Sequence, residues 1–162
     1  MALDQQKLLS FSLGNEEYGV SIMKVKELIG MMDITPVPKT PDFIKGVINL
    51  RGKIVPVMDL RTKFGMVAQE YDERTCIIVV EVLIKEIART IGIVVDCVSE
   101  VINIDETQID PPPESGNTVD ADTILGIGKL KDGVVIILDI DKILLYEELV
   151  DFIEATKDGN YV

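Results

Sequence analysis

The sequence carries two copies of one β-strand pattern, and this internal repeat constrains the possible fold more than any other feature. Residues 18–29 align with residues 91–102 at an offset of 73, and the Gly, the alternating apolar positions, the Val after the break in alternation and the Glu coincide. Residues 46–60 align with residues 126–140 at an offset of 80. Self-similarity of this kind indicates two structural units with one topology.

The two units, over about residues 8–65 and 75–145, are each predicted to form about five short strands. A β unit of about 60–70 residues lies near the lower limit of independent stability, so the two units need a shared apolar seam. Closing each sheet into a barrel also protects its edges. We therefore predict an all-β fold of two five-stranded β-barrels packed together, with one large sandwich as the alternative.

A C-terminal α-helix over about residues 141–156 is predicted to follow the barrels, with Asp139 or Asp141 as its cap. Its apolar residues recur at helical spacing with acids between them: Ile143, Tyr146, Leu149, Val150 and Ile153. A second, short helix is predicted over residues 41–45, with Thr40 as its cap.

Charge and composition exclude several classes of function. The chain has 16 Lys and Arg against 28 Asp and Glu, a net charge of −12, which argues against unaided binding to nucleic acid or to an anionic membrane. It contains no His, which excludes His-dependent catalysis and His-ligated zinc. Cys76 and Cys97 lie in apolar runs and are predicted to pack in the core. No signal-peptide pattern or membrane-spanning run is found, so we expect a cytoplasmic protein.

Motifs for ligand chemistry are weak. The run Gly126-Ile127-Gly128 lacks the third Gly of a dinucleotide-binding loop, and the acidic pairs at 120–122 and 139–141 lack the other ligands of an EF-hand loop. No metal site, cofactor or catalytic residue is therefore assigned. A small acidic enzyme with paired carboxylates is an alternative, which a deep pocket with clustered acids would favour.

Two features indicate protein binding. Arg51 and Lys53 form a basic hairpin tip in an acidic protein, and Arg can hold a carboxylate with two hydrogen bonds, although ordinary surface charge is the alternative. An apolar stripe is either core or, in part, the lining of a groove between the barrels for a partner helix: Val20, Ile22, Val25, Leu28 and Ile29.

Residues 43–61, FIKGVINLRGKIVPVMDLR, resemble the signature of the CheW family of bacterial chemotaxis coupling proteins. Other segments resemble the same family: LGNEEYGV at 13–20, IVVDCV at 93–98 and IILDI at 136–140. The resemblance covers about residues 8–150, nearly the whole chain. No receiver domain, ATP-binding domain or phosphotransfer His accompanies it, which favours the stand-alone adaptor over CheV-type proteins and kinase regulatory domains.

The resemblance implies two SH3-like barrel subdomains in a single CheW-like domain over residues 1–162, with no cofactor and no catalysis. It implies an adaptor that couples methyl-accepting chemotaxis receptors to the histidine kinase CheA at membrane-associated arrays, with the receptor's helical tip in the groove between the barrels. The receptor-binding residues that the resemblance implies are Val25, Glu27, Gly46 and Arg51, with Leu28 beside them. Kinase contact, which the family makes through the second barrel, is assigned to Gly92 and Val98.

The hairpin over residues 82–89, VLIKEIAR, departs from the family pattern because it is a few residues longer and carries apolar residues near its tip. Contacts made there cannot be carried over from the resemblance. A CheW-like adaptor of a chemosensory pathway that does not control motility is the nearer alternative function.

Overall fold

The computed structural model describes residues 5–112 and 123–143, which consist mainly of β-strands. The strands along these residues are β1 (Gln5–Leu13), β2 (Glu16–Ser21), β3 (Val25–Gly30), β4 (Ile44–Leu50), β5 (Lys53–Asp59), β6 (Cys76–Ile84), β7 (Ile87–Val95), β8 (Cys97–Asp105), β9 (Ile109–Asp110), β10 (Ile124–Leu130) and β11 (Gly133–Leu138). Short 3₁₀ turns cover Ile22–Lys24 and Glu106–Gln108. Among the described residues, the helical segments α1 (Leu60–Lys63) and α2 (Ile140–Ile143) follow β5 and β11.

The strands form two sheets, which we call barrel I and barrel II. Barrel I has the strand order β3-β6-β7-β5-β4, and barrel II has the order β8-β1-β2-β11-β10-β9. This arrangement confirms the predicted mainly-β fold with two SH3-like subdomains. The two-residue strand β9 makes the second sheet six-stranded rather than five-stranded, because the chain after Glu106–Gln108 pairs briefly with β10.

The two sheets do not follow the two sequence units, because each barrel includes a hairpin from the other half of the chain. Hairpin β6–β7 joins β3–β5 in barrel I, and hairpin β1–β2 joins β8–β11 in barrel II. A parallel contact attaches each hairpin: Val57 pairs with Gly92, and Ile137 pairs with Gly19. These two pairs are related by the same offsets, 80 and 73, that relate the repeated sequences. We infer that the two units are repeats that exchange their first hairpins.

The largest apolar cluster among the described residues joins the two barrels. It combines Phe11 and Leu13 of barrel II with Ile78, Val80 and Ile93 of barrel I, all of which are fully buried. Smaller clusters are confined to one barrel each: Ile48, Val55, Val57, Ile77, Val79 and Val94 in barrel I, and Leu8, Ile104, Val135 and Ile137 in barrel II. Successive residues of β6 point to opposite faces, so both of its faces are buried, which explains its near-continuous apolar sequence.

The short helix predicted over residues 41–45 is wrong. Ile44 already belongs to β4 and pairs with Met58, and the turn before it is closed by a 3.0 Å bond from the Ile44 N–H to the Pro41 carbonyl. Too few residues remain before the strand for a helix to form. The structure has instead α1, which was not predicted: the Asp59 carboxylate caps it by accepting from the backbone N–H groups of Arg61 and Thr62.

The predicted C-terminal helix begins within the described residues, and its cap is Asp139. The Asp139 carboxylate accepts hydrogen bonds from the backbone N–H groups of Asp141, at 3.1 Å, and Lys142, at 3.4 Å. Asp141 instead accepts from the Leu83 N–H and the Lys24 ammonium group, which ties the start of α2 to barrel I. The rest of the helix predicted to residue 156 lies outside the described residues.

The two cysteines are less buried than predicted. Cys76 and Cys97 are both half-buried free thiols. Cys76 packs at the margin of the cluster between the barrels, and burial raises the pKa of its thiol. Both residues lie at the first position of a strand, where the apolar run meets a connection, so the sequence pattern overstates their burial.

A Gly46→Ala variant tests whether barrel I requires glycine at this position. Gly46 has φ of +142°, and a Cβ there would lie 2.0 Å from the backbone oxygen of Thr35. We expect a loss of at least about 2 kcal/mol in the free energy of unfolding, measured by urea denaturation. Gly30→Ala is the matched control, because nothing lies within 4 Å of its Cβ position. Equal stability of the two variants would contradict this interpretation.

Candidate functional site

Strand β3 contains a β-bulge that decides which side chains share a face. Val25 pairs with Val80 and Glu27 pairs with Val79, so Lys26 is an extra residue in the ladder. Val25 and Leu28 therefore lie on the face toward the cluster between the barrels, and Glu27 lies on the other face. Strand β3 is one of the two edge strands of barrel I, and Leu28 is 46% exposed there.

The apolar stripe predicted across β2 and β3 is divided by this geometry. Val20 is fully buried in the cluster between the barrels, and Ile22 and Val25 pack against its margin. Ile29 is on the opposite face, where it packs against the interior cluster of barrel I. Of the five stripe residues, Val25 and Leu28 are the ones that β3 presents to a partner on the face toward the cluster between the barrels.

Glu27 and Arg51 form an ion pair between β3 and the β4–β5 turn. Arg51 and Gly52 are the two residues of a hairpin loop with φ of +53° and +87°, and the Asn49 side chain accepts a 2.8 Å bond from the Gly52 N–H. The Arg51 guanidinium donates to the Glu27 carboxylate, and this hydrogen bond and the charge of Glu27 raise the pKa of Arg51. The Arg51 side chain is 69% exposed. We call Val25, Glu27, Leu28 and Arg51 the β3 edge surface.

Gly46 differs from the other predicted receptor-binding residues because it acts through backbone shape. The Thr35 and Val47 backbones exchange hydrogen bonds of 2.8 and 2.9 Å directly beside it. A side chain at Gly46 would collide with Thr35 and Pro36. Gly46 therefore lets the segment before β4 pack against the strand, which positions β4 and the turn that carries Arg51. Whether Gly46 also contacts a partner stays a prediction.

The two residues predicted for kinase contact lie in different barrels. Val98 is half-buried in β8, an edge strand of barrel II, and it pairs with Phe11. Gly92 is buried in β7 of barrel I, and a Cβ there would lie 2.8 Å from Cγ2 of Ile77. Any effect of Gly92 on a partner would therefore pass through the packing of barrel I. Kinase contact stays a prediction for both residues.

An apolar groove of about 260 Å³ lies between barrel II and the segment that follows α1, and the sequence analysis missed it. Its lining contains none of the predicted receptor-binding residues and consists of Tyr18, Phe64, Met66, Thr123, Ile124, Ile136 and Leu138. The Tyr18 ring stacks between Phe11 and Phe64, with centroid distances of 6.0 and 5.8 Å. No sequence signal marks Phe64 and Met66, because they lie in a connection without periodicity.

A polar pocket of about 340 Å³ is the place where an acidic enzyme would hold its carboxylates. Asp59 accepts 2.8 Å bonds from the Arg61 N–H and the Tyr71 hydroxyl, and Asp96 accepts from the Gly14 N–H and the Arg61 guanidinium at 2.7 and 2.6 Å. The Asp59 carboxylate therefore caps α1 and binds the connection before β6 through Tyr71. The Asp96 carboxylate binds the β1–β2 turn through Gly14 and α1 through Arg61.

Asp72, which also lines this pocket, is engaged in local structure too. Asp72 accepts from the backbone N–H groups of Arg74 and Thr75, and these hydrogen bonds, led by that of Arg74, lower the pKa of its carboxyl. A general acid needs the opposite, a carboxyl whose pKa is raised toward neutrality. The pocket therefore does not favour the enzyme alternative.

Residues 5–112 and 123–143 offer neither a metal site nor a membrane-spanning helix. Within these ranges, no group of three or more Cys, Asp or Glu side chains is arranged to hold a metal ion. No helix within the same ranges has the length and hydropathy needed to cross a membrane.

Comparisons with known proteins agree on one family. Residues 7–148 match the family model of the CheW-like domain. The chain is 46% identical over 144 residues to the chemotaxis protein CheW of Klebsiella aerogenes, covering 89% of this chain and 84% of that protein. It is 36% identical over 138 residues to the chemotaxis protein CheW of Helicobacter pylori, covering 85% and 81%. The crystal structure of the scaffolding protein TtCheW from Thermoanaerobacter tengcongensis is similar with a TM-score of 0.79 at 40% identity, covering 91% of this chain and 96% of that one.

The Tyr71–Asp59 hydrogen bond predicts a pH dependence of stability. Burial, and then the bond and charge of Asp59, raise the pKa of the Tyr71 phenol above its ordinary value of 10.0. The folded state therefore favours the neutral phenol, so this stabilisation is complete below about pH 10 and is lost as the pH rises through the raised pKa. Tyr71→Phe should lower stability by about 1 kcal/mol at pH 8 and reduce the further loss between pH 8 and 11, measured by urea denaturation. An unchanged alkaline loss in the variant would contradict this account.

Proposed function

The chain belongs to the CheW-like domain family of chemotaxis proteins, and from this premise we propose that it is a non-enzymatic adaptor that couples methyl-accepting chemotaxis receptors to the histidine kinase CheA. It acts at membrane-associated receptor arrays and reaches the membrane through its receptor partner. Its work is simultaneous binding of two proteins, which needs two separate surfaces on one rigid body.

The observation that carries this proposal is a pair of matching edge strands on one core. β3 lies at one end of the strand order of barrel I, and β8 lies at one end of the strand order of barrel II. Val25 and Val98 stand at corresponding positions, 73 residues apart, next to a bulge in each ladder. Both side chains pack against the apolar cluster that joins the barrels. The fold therefore offers two similar surfaces at a fixed separation.

We assign the receptor to the β3 edge surface. Val25 and Leu28 offer apolar area on the face of β3 toward the cluster between the barrels. Burial of apolar area contributes roughly 25 cal/mol per Å² to the free energy of binding, offset by the cost of association. Arg51 is charged, exposed and held by a rigid turn, which suits it to fix the orientation of a partner more than to raise affinity. The kinase is assigned to β8 and Val98 on the opposite barrel.

The mechanism is an increase in effective concentration. An adaptor bound to a receptor at one edge presents the other edge to the kinase, so the second association becomes local and two weak contacts act together. A rigid connection between the edges is required, and the cluster that contains Phe11, Val80 and Ile93 provides it because it belongs to both barrels. No bond is made or broken in this mechanism. Asp59, Asp72 and Asp96 are engaged in hydrogen bonds within the local structure, which supports the proposal that the protein is not an enzyme.

Arg51→Ala should weaken binding to a receptor cytoplasmic fragment by about tenfold or more, because it removes an oriented charge from the centre of the proposed contact. Fold and stability should be unchanged, because the side chain is exposed. Lys53→Ala is the matched control, since it removes the same charge from the same hairpin. The measurements are the dissociation constant and kinase stimulation in a reconstituted receptor–kinase assay. Equal coupling by wild type and Arg51→Ala would show that the assignment of Arg51 is mistaken.

Isothermal titration calorimetry tests the non-enzymatic part of the proposal. We expect no stoichiometric heat of binding when ATP with Mg²⁺, or Zn²⁺ alone, is added to the purified protein, because no residue is assigned to hold either. Saturable binding at one equivalent with a dissociation constant below about 10 μM, about −7 kcal/mol, would contradict it.

A further inference from the structure

The two cysteines of the chain lie where the two barrels meet. Cys76 is the first residue of β6 in barrel I, and Cys97 is the first residue of β8 in barrel II. We propose that these two thiols form a reversible disulfide when a peroxide oxidises them, and that this disulfide links the barrels covalently. The modification site goes beyond the proposed adaptor function and does not depend on it.

Strand pairing places Cys76 opposite the segment that carries Cys97. Cys76 pairs with Val95, the last residue of β7, and Cys97 follows two residues later, after a bend at Asp96. Directly opposed residues of an antiparallel pair have Cα atoms about 4.5–5.5 Å apart, and the Cα atoms of a disulfide are usually roughly 4.4–6.8 Å apart. The backbone therefore brings the two cysteines into the same neighbourhood without any unfolding.

Both thiols interact with the backbone of one residue, Val98. The Cys97 thiol donates to the Val98 carbonyl at 3.5 Å, and the Cys76 sulfur hydrogen-bonds with the Val98 backbone. Burial is the main cause of the raised pKa of the Cys76 thiol, and the negative charge of a Cys97 thiolate adds to it, so the two sulfurs are near neighbours. Rotation of the two side chains with a small backbone shift then brings the sulfurs into contact.

The surroundings of the two cysteines allow this shift. Cys76 pairs on its other side with Gly30, the last residue of β3, so both ladders of β6 end at Cys76. A Cβ at Gly30 would meet nothing within 4 Å, which shows that space is open beside it. Cys97 likewise is the last residue of β8 to pair with β1. Movement at the end of a ladder disturbs fewer hydrogen bonds than movement in its interior.

The two thiols differ in access to solvent, and this difference sets the order of the chemistry. Cys97 lines the polar pocket of about 340 Å³, which a small oxidant can enter. Cys76 instead packs at the margin of the apolar cluster between the barrels, and burial raises the pKa of its thiol. Oxidation by a peroxide requires both access and thiolate character, so Cys97 reacts first and Cys76 second.

Oxidation proceeds in two steps, with hydrogen peroxide as the oxidant. The Cys97 thiolate attacks one oxygen, so that an S–O bond forms, the O–O bond breaks, and the leaving hydroxide takes up the thiol proton to become water. The Cys76 thiolate then attacks the sulfur of the Cys97 sulfenic acid, so that the S–S bond forms, the S–O bond breaks, and a second water leaves. The sulfurs lose two electrons in total, and the peroxide gains them. Exchange with a small thiol such as glutathione restores both cysteines.

Peptide mapping by mass spectrometry after treatment of the folded protein with hydrogen peroxide tests the proposal. Trypsin cleaves between the two cysteines, so they fall on separate peptides, residues 75–85 and 90–129. We expect the two peptides to be joined in the oxidised monomer, both thiols to be lost from a thiol titration, and dithiothreitol to restore them. The rate of joining should stay constant over an about tenfold range of protein concentration, because the reaction is intramolecular. Persistence of both free thiols, or joining only between two chains, would overturn the proposal.

Single variants test the order of the two steps. In Cys76→Val, which keeps an apolar side chain at the cluster, peroxide should leave Cys97 as a sulfenic acid that dimedone traps. In Cys97→Ser, Cys76 should be oxidised at least about tenfold more slowly than Cys97 is in the first variant, because Cys76 is less accessible and has the raised pKa. Equal or faster oxidation of Cys76 would overturn the proposed order. The mapping of the wild-type protein needs no variant, so it stays decisive if either variant fails to fold.

Discussion

The apolar cluster between the barrels is the interaction on which the rest of the structure depends. Phe11 and Leu13 of barrel II meet Ile78, Val80 and Ile93 of barrel I there, all without solvent exposure. Each barrel also holds a hairpin from the other half of the chain. Separation of the barrels would expose this cluster, and separation of the two halves of the chain would break strand pairs in both sheets. Neither half of the chain forms a sheet by itself, because each sheet contains strands from both halves.

Much of this architecture could be predicted from the sequence, because strand alternation and the repeat are local signals. The strands and the two-barrel fold follow from patterns that span a few residues, whereas the sequence left Asp139 and Asp141 open as the cap of α2 and the structure selects Asp139. The hairpin exchange could not be predicted, because alternation shows that a strand is buried without showing which strand lies beside it. The helix over residues 41–45 was predicted from Thr40 and the following proline, but tertiary pairing of Ile44 with Met58 outweighed that local preference.

The candidate site shows the same division between local and tertiary information. The family resemblance selected Val25, Glu27 and Arg51, but the sequence does not show that Val25 and Glu27 lie on opposite faces. That result depends on the bulge at Lys26, and a bulge leaves no mark on a short apolar segment. The contact of Glu27 with Arg51 joins residues 24 positions apart and requires the folded sheet, in which β3 and β4 are the two end strands. The apolar groove near Phe64 likewise depends on a connection whose path no pattern encodes.

The central claim is that two partners bind one protein at separate edges at the same time. The most direct measurement immobilises the receptor cytoplasmic fragment on a biosensor and adds the regulatory domain of the kinase with and without this protein. The account predicts that the kinase domain is retained only when the protein is present, and that receptor-bound protein stays in place as the kinase domain binds. Displacement of the protein from the receptor by the kinase domain would show one shared surface and would contradict the account.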